Sequence, residues 1–151
     1  RFEPGITQGS EPVGRRNPGV LYGLGNLVEN AVDFARETVT IRWHWNDDEI
    51  GLLVIDDGLG FPVEILDRIG EPYMSKRGAA ASSGGGLGLG LFIAKTLLER
   101  SGATIRFGNL AEKGKGAFAE VTWPRSVFVV QGPALEDEIK TPKLEKPTNI
   151  G

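Results

Sequence analysis

Between residues 17 and 37 the apolar side chains return every three or four positions: Leu21, Leu24, Leu27, Val28, Ala31 and Ala35. That spacing predicts a helix with one buried stripe. Asn17 suits its N-cap, and Pro18 its first turn, where proline forfeits only an amide that would have no helical partner. The period then shortens to two. In "TVTIRWHWNDDEIGLLVIDDG" (38–58) two apolar arms flank Asn46, Asp47 and Asp48, which predicts a β-hairpin with a loop longer than two residues. Pro62 to Ile69 reads as a short helix, and residues 70–86 as a loop. A second long helix is expected from about Leu87 to Arg100, stopped by Ser101 and Gly102. Two strands follow, near 103–107 and 117–123, around a Gly/Lys turn, and "SVFVV" (126–130) reads as one more. Residues 1–17 are rich in Gly and Pro without an apolar period, a lead-in segment to a domain over 18–130. Residues 131–151, rich in Pro, Glu and Lys, read as a tail. The order predicts an α/β fold: a two-layer sandwich of a mixed sheet with helices on one face.

Composition narrows the class. At 151 residues the chain suits one domain with a real core. A net charge of −3 without any block of lysine and arginine argues against a nucleic-acid partner and against an anionic lipid surface. With no cysteine, disulfides and thiolate metal sites are excluded. No apolar run approaches the roughly 20 residues needed to cross a bilayer, and no signal peptide is visible, so no direct membrane contact by this domain is expected. The first residue is Arg1 rather than Met, which suggests an excised or processed fragment.

Three motifs carry candidate chemistry. Asn26, Asn30 and Asp33 stand four and three residues apart on the first helix, on one face opposite the leucines. Asparagine is a poor helix former, and its oxygens suit a hard cation such as magnesium bridging to phosphates; a solvated polar face would look the same. Next, an apolar strand runs into Asp56-Asp57-Gly58-Leu59-Gly60. A carboxylate buried there accepts from an exocyclic amine, which fits adenine and rejects guanine, although Asp-Gly is also a common turn dipeptide. Finally, five glycines fall within residues 84–90 and lead straight into a helix. Glycine is costly in a helix, but amides at a helix start make a phosphate site. A flexible linker would also be glycine-rich, but no helix would start at once behind it. Singly each motif is ambiguous; in this order they compose an ATP site.

The stretches "NLVENAVDFA", "DDGLGFP" and "GGGLGLGLFIAKTLLERSGA" resemble the asparagine box and the two glycine boxes of histidine-kinase catalytic domains. "GKGAFAEVTWP" is similar to that family's last glycine-containing turn and strand, so the resemblance covers roughly residues 18–125. The family belongs to the superfamily shared with gyrase, Hsp90 and MutL ATPases, whose sandwich is called the Bergerat fold. More narrowly, "ENAVDFA" and "GEPYMSKR" resemble the RegB/PrrB group of redox-responsive sensor kinases. The resemblance implies ATP and Mg2+ as cofactors, with Asn30 the main magnesium ligand and Asn26 supporting the metal and phosphate region. It implies that Asp56 accepts from the adenine amine and that Gly58 and Gly60 let the chain pass under the base. Gly84, Gly86 and Gly88, with the amides of Leu87 and Leu89, would cradle the phosphates, and Lys76 or Arg77 in a lid would steady the γ-phosphate.

The sequence also departs from the pattern. Asp33 stands where the family usually carries Lys, Arg or His, and the lid's usual aromatic pair is reduced, with Gly70 and Tyr73 in its place. The superfamily's hydrolases carry a glutamate one turn before the metal asparagine; here that position is Asn26, which cannot take a proton. A hydrolase, or an anti-sigma-type serine kinase with the same pocket, is the alternative. The resemblance implies two partners, a histidine-bearing dimerisation domain of the same full-length protein and a response regulator. It implies a cytoplasmic location, as the soluble part of a membrane-anchored sensor. His44, the single histidine, lies in a strand pattern and reads as structural rather than as phosphoacceptor.

Overall fold

The computed structural model describes residues 1–72, 89–112 and 115–129. The chain runs β1 (Phe2–Thr7), α1 (Pro18–Phe34), β2 (Val39–Trp45), β3 (Glu49–Asp56), a 3₁₀ helix (Val63–Arg68), α2 (Leu89–Arg100), β4 (Thr104–Asn109), β5 (Ala117–Pro124) and α3 (Arg125–Phe128). The sheet order is β1-β2-β3-β5-β4. All neighbours are antiparallel except β1, which lies parallel to β2 at the edge. The predicted mixed sheet and sandwich are therefore both present.

Period-two burial fixes which face the helices cover. Along β5, Ala117, Ala119, Val121 and Trp123 are buried and alternate with residues that are not. Leu27 of α1 and Leu91, Ala94 and Leu98 of α2 pack on that face with them, forming one core. Gly23 makes the helix pair close: a methyl group there would lie 3.0 Å from Leu98 Cγ. Asn17 caps α1 as expected, its Oδ1 accepting from the amides of Gly19 and Val20 at 2.9 and 3.2 Å. The predicted stripe needs one correction, because Leu21 is half exposed while Gly23 is buried.

Two further expectations fail for physical reasons. Residues 1–17 read as a lead-in without pattern, yet β1 forms on the open edge of β2. Edge pairing uses main-chain groups, and a proline such as Pro4 is tolerated there, so composition conceals it. "SVFVV" reads as a strand, yet α3 occupies Arg125–Phe128, and among the described residues of that stretch Val129 alone makes a bridge, to Gly14. A strand continuing past Pro124 would outrun Glu49, its last partner. Instead the chain turns, Arg125 donates to the carbonyls of Asn46 and Ser10, and Phe128 packs edge-on against Trp123 at 5.6 Å.

Among the described residues no helix covers the other face of the sheet. There Arg106 binds Glu120 through two nitrogens, at 2.6 and 3.0 Å, and covers the Phe118 ring. His44 is half-buried on β2 opposite Gly51, and a Cβ on Gly51 would lie 2.0 Å from its ring, which therefore lies flat over the glycine. The strand register puts Val39 beside Asp56 but Trp43, Trp45 and Trp123 around Ile50 and Leu52, at the opposite end of the sheet.

Candidate functional site

The helix-facing series on β3 is Ile50, Leu52, Val54 and then Asp56, so the period that buries apolar residues also buries a carboxylate. Asp56 is 6% exposed. A buried carboxylate is costly unless hydrogen-bonded, and Oδ1 accepts from the amides of Gly58 at 2.8 Å and Ala117 at 3.3 Å. Among the described residues nothing donates to Oδ2. Above it opens a cavity of about 210 Å³ lined by Asn30, Phe34, Asp56, Leu59, Gly60, Phe61, Pro62 and Ala117. Its walls are mainly apolar, with one carboxylate and one carboxamide, which suits a flat heterocycle bearing an amine.

Neighbouring residues hold this geometry. Asp57 turns away from the core and accepts from the amides of Arg36 at 2.7 Å, Glu37 at 3.1 Å and Thr38 at 3.1 Å. It thereby fastens the exit of α1, which carries Asn30 and Phe34, to the end of β3, which carries Asp56. Gly58 must approach α1 closely, since a Cβ there would sit 2.1 Å from the Phe34 carbonyl. Gly116 lies against Asp56 with φ +115°, a backbone conformation that favours glycine.

The amides around Asp57, that of Glu37 above all, hold its carboxyl below the ordinary aspartate value against an opposing desolvation effect. A carboxyl lowered on folding stabilises the fold above its unfolded pKa, and that contribution is lost as pH falls through the folded value. Asp57→Asn is therefore expected to lower Tm at neutral pH. In thermal melts from about pH 7 to pH 2.5 the difference from wild type should stay constant above about pH 5 and shrink below about pH 4.

Asn26, Asn30 and Asp33 are not equivalent. Asn30 lines the cavity beside Asp56, and Asn26, one turn earlier, is half-buried. A side chain on Gly90, in the first turn of α2, would begin 3.9 Å from Asn26 Oδ1. Asn26 thus faces the start of the helix that follows the glycine run. Its Nδ2 is buried with no partner among the described residues, and a buried amide left so calls for a missing one. Asp33 is exposed and lines neither this cavity nor the smaller one beneath it. Leu89 begins α2 and is exposed. Lys76, Arg77, Gly84, Gly86, Leu87 and Gly88 lie outside the described residues. A larger cleft of about 770 Å³, at the N-terminal end of α1, contains none of the candidate residues and offers apolar walls with Arg15 and Arg16. Asp56 does not line it.

A five-stranded sheet under two helices, with a buried carboxylate at a strand end beside a carboxamide face, defines a class of nucleotide-binding domain. Residues 18–127 match the family described as histidine kinase-, DNA gyrase B- and HSP90-like ATPase, and the chain belongs to that family. It is 47% identical to the sensor histidine kinase RegB of Cereibacter sphaeroides, an alignment covering 80% of this chain and 29% of that protein. The chain thus spans less than a third of the relative's length. Among solved structures, full-length ShkA in complex with AMPPNP is 26% identical with a TM-score of 0.57, covering 82% of this chain and 25% of that one. The mycobacterial sensor histidine kinase MprB, at 22% identity and a TM-score of 0.60 over 82% and 83% of the two chains, shares the fold.

Proposed function

We propose that this chain binds ATP with Mg2+ and donates its γ-phosphate to a histidine on a separate dimerisation domain of the same full-length protein, for onward transfer to a response regulator. The observation that carries the reading is Asp56: a buried carboxylate that lines a mainly apolar cavity, with Oδ1 bonded to main-chain amides and no donor to Oδ2 among the described residues. In that setting Oδ2 accepts from the adenine amine, while Phe61, Leu59 and Pro62 exclude water from the base. The unpaired Asn26 amide group and Asn30 supply polar atoms where the triphosphate leaves the base cavity. No cluster of three or more His, Cys, Asp or Glu lies among the described residues. A metal here would be held by few protein oxygens together with phosphate and water, which magnesium accepts. When bound, Mg2+ neutralises charge on the phosphates. Asn30 would be its main ligand, with Asn26 supporting the metal and phosphate region, and Gly84, Gly86, Gly88, the amides of Leu87 and Leu89 and one lid cation, Lys76 or Arg77, would complete the phosphate contacts.

Hydrolysis is disfavoured because no carboxylate occupies position 26, and Glu29, beside Asn30, is exposed. No helix among the described residues is long and apolar enough to cross a membrane. The likeness to RegB supports a cytoplasmic catalytic part of a membrane-anchored, redox-responsive sensor. The test is to mix this chain with a helical domain bearing an acceptor histidine and with γ-labelled ATP and magnesium. Acid-labile, alkali-stable label on the helical domain is the expected result. ATP binding without transfer would refute the kinase reading, and rapid phosphate release by this chain alone would favour the hydrolase.

A further inference from the structure

Asn109, the last residue of β4, uses its side chain as a piece of main chain. Its Oδ1 accepts from the Phe61 amide at 2.6 Å, and its Nδ2 donates to the Phe61 carbonyl at 2.8 Å. The two bonds reproduce one rung of an antiparallel ladder, across 48 residues of sequence, in a loop that has no strand partner. Gly60 is shaped around the same clasp: its φ is +84°, and a Cβ there would lie 2.8 Å from Asn109 Oδ1. Beside the clasp Phe61 is 9% exposed, with its ring edge-on to Phe107 and the centroids 6.3 Å apart. Asn109 also reaches the opposite wall of the cavity, because its main chain pairs with Ala117, whose amide donates to Asp56. One residue therefore sets the spacing between Phe61, which floors the cavity, and Asp56, which reads what enters it.

We propose that Asn109 is a positioning residue for base selection: it holds the 58–62 loop at the height at which a bound base must present an amine to Asp56. This rests on the nucleotide reading of the site. A single hydrogen bond is worth a few-fold in an equilibrium and the pair about tenfold. Loosening the floor relaxes the requirement for a fixed base plane, so the loss falls on the well-matched base more than on the mismatched one.

The experiment is calorimetric titration of wild type, Asn109→Ala and Asn109→Asp with Mg-ATP, Mg-GTP and inorganic tripolyphosphate, with a thermal melt of each. Asn109→Asp keeps the acceptor for the Phe61 amide and loses the donor, so it should be intermediate. Asn109→Ala is expected to lose about tenfold in ATP affinity, to narrow the ATP-over-GTP preference, and to bind tripolyphosphate as wild type does. Amide exchange at Phe61 without nucleotide should quicken in Asn109→Ala and less in Asn109→Asp, a readout that needs no ligand. Unchanged ATP affinity and preference in Asn109→Ala would overturn the proposal and leave the nucleotide reading standing. Equal losses for ATP, GTP and tripolyphosphate would overturn it too, as mere loss of structure. Failure of the wild type to bind ATP at all would overturn both.

Discussion

Asp56→Asn is expected to lower ATP affinity by about 10–100-fold while leaving the domain folded. Oδ1 already accepts from the amides of Gly58 and Ala117, and an asparagine oxygen can take the same two bonds. The substituted side chain then turns its amino group toward the cavity. A charge-assisted bond of about 1.5–3 kcal/mol is lost, and a donor meets the donor on adenine. The same geometry makes a carbonyl-bearing base less unwelcome, so affinity for GTP should fall far less or rise. Titration of both nucleotides against the variant, beside a melt close to that of wild type, checks this. Equal ATP affinity in variant and wild type would remove Asp56 from the site.

The largest loss of stability is expected from Gly116→Ala. A Cβ at Gly116 would lie 1.8 Å from the carbonyl oxygen of Asp56, a main-chain atom that no rotamer change can move aside. With φ at +115° the residue is strained for any L side chain whatever the space around it. The ends of β3 and β5 would have to part, breaking the Ala117-to-Asp56 bond along with the packing beneath it. We expect a loss of about 3–4 kcal/mol and a fall in Tm of about 10 °C or more. The control is Gly25→Ala on α1, where nothing lies within 4 Å of the added methyl. There a helical glycine-to-alanine exchange should stabilise by up to about 1 kcal/mol. If both variants melted alike, the close approach at Gly116 would be wrong.

These two positions show what the sequence makes legible. Asp56 is visible because the apolar period of β3 runs straight into it, and Asn30 because a helix face with two asparagines asks for a reason. The elements that repeat, α1, the β2–β3 hairpin, α2 and β5, declare themselves through side-chain period. What stays hidden is held by main chain. β1 adds through backbone pairing, which leaves no period in residues 1–17. Asn109, Asp57 and Gly116 act by bonding or crowding the backbone of residues far away in sequence, and no local pattern reports that. Two faint signals exist: a second aspartate beside Asp56, and the glycine that precedes β5. Either fits an ordinary turn equally well until the register of β3 with β5 is known. α3 was hidden differently, since its apolar composition suits a strand and only the absence of a partner beyond Glu49 forbids one.

The distribution of tryptophan has an optical consequence. Trp43, Trp45 and Trp123 all sit at the end of the sheet remote from Asp56, and none lines the cavity there. Trp123 is 3% exposed, with its Nε1 bonded to Ser101 Oγ at 2.8 Å. Intrinsic emission therefore reports whether the sheet and its helices are assembled and carries little direct signal from a base entering at the other end. Fluorescence thus follows unfolding, and heat follows nucleotide binding; a bound nucleotide reaches the fluorescence signal through the stability it adds to the folded state.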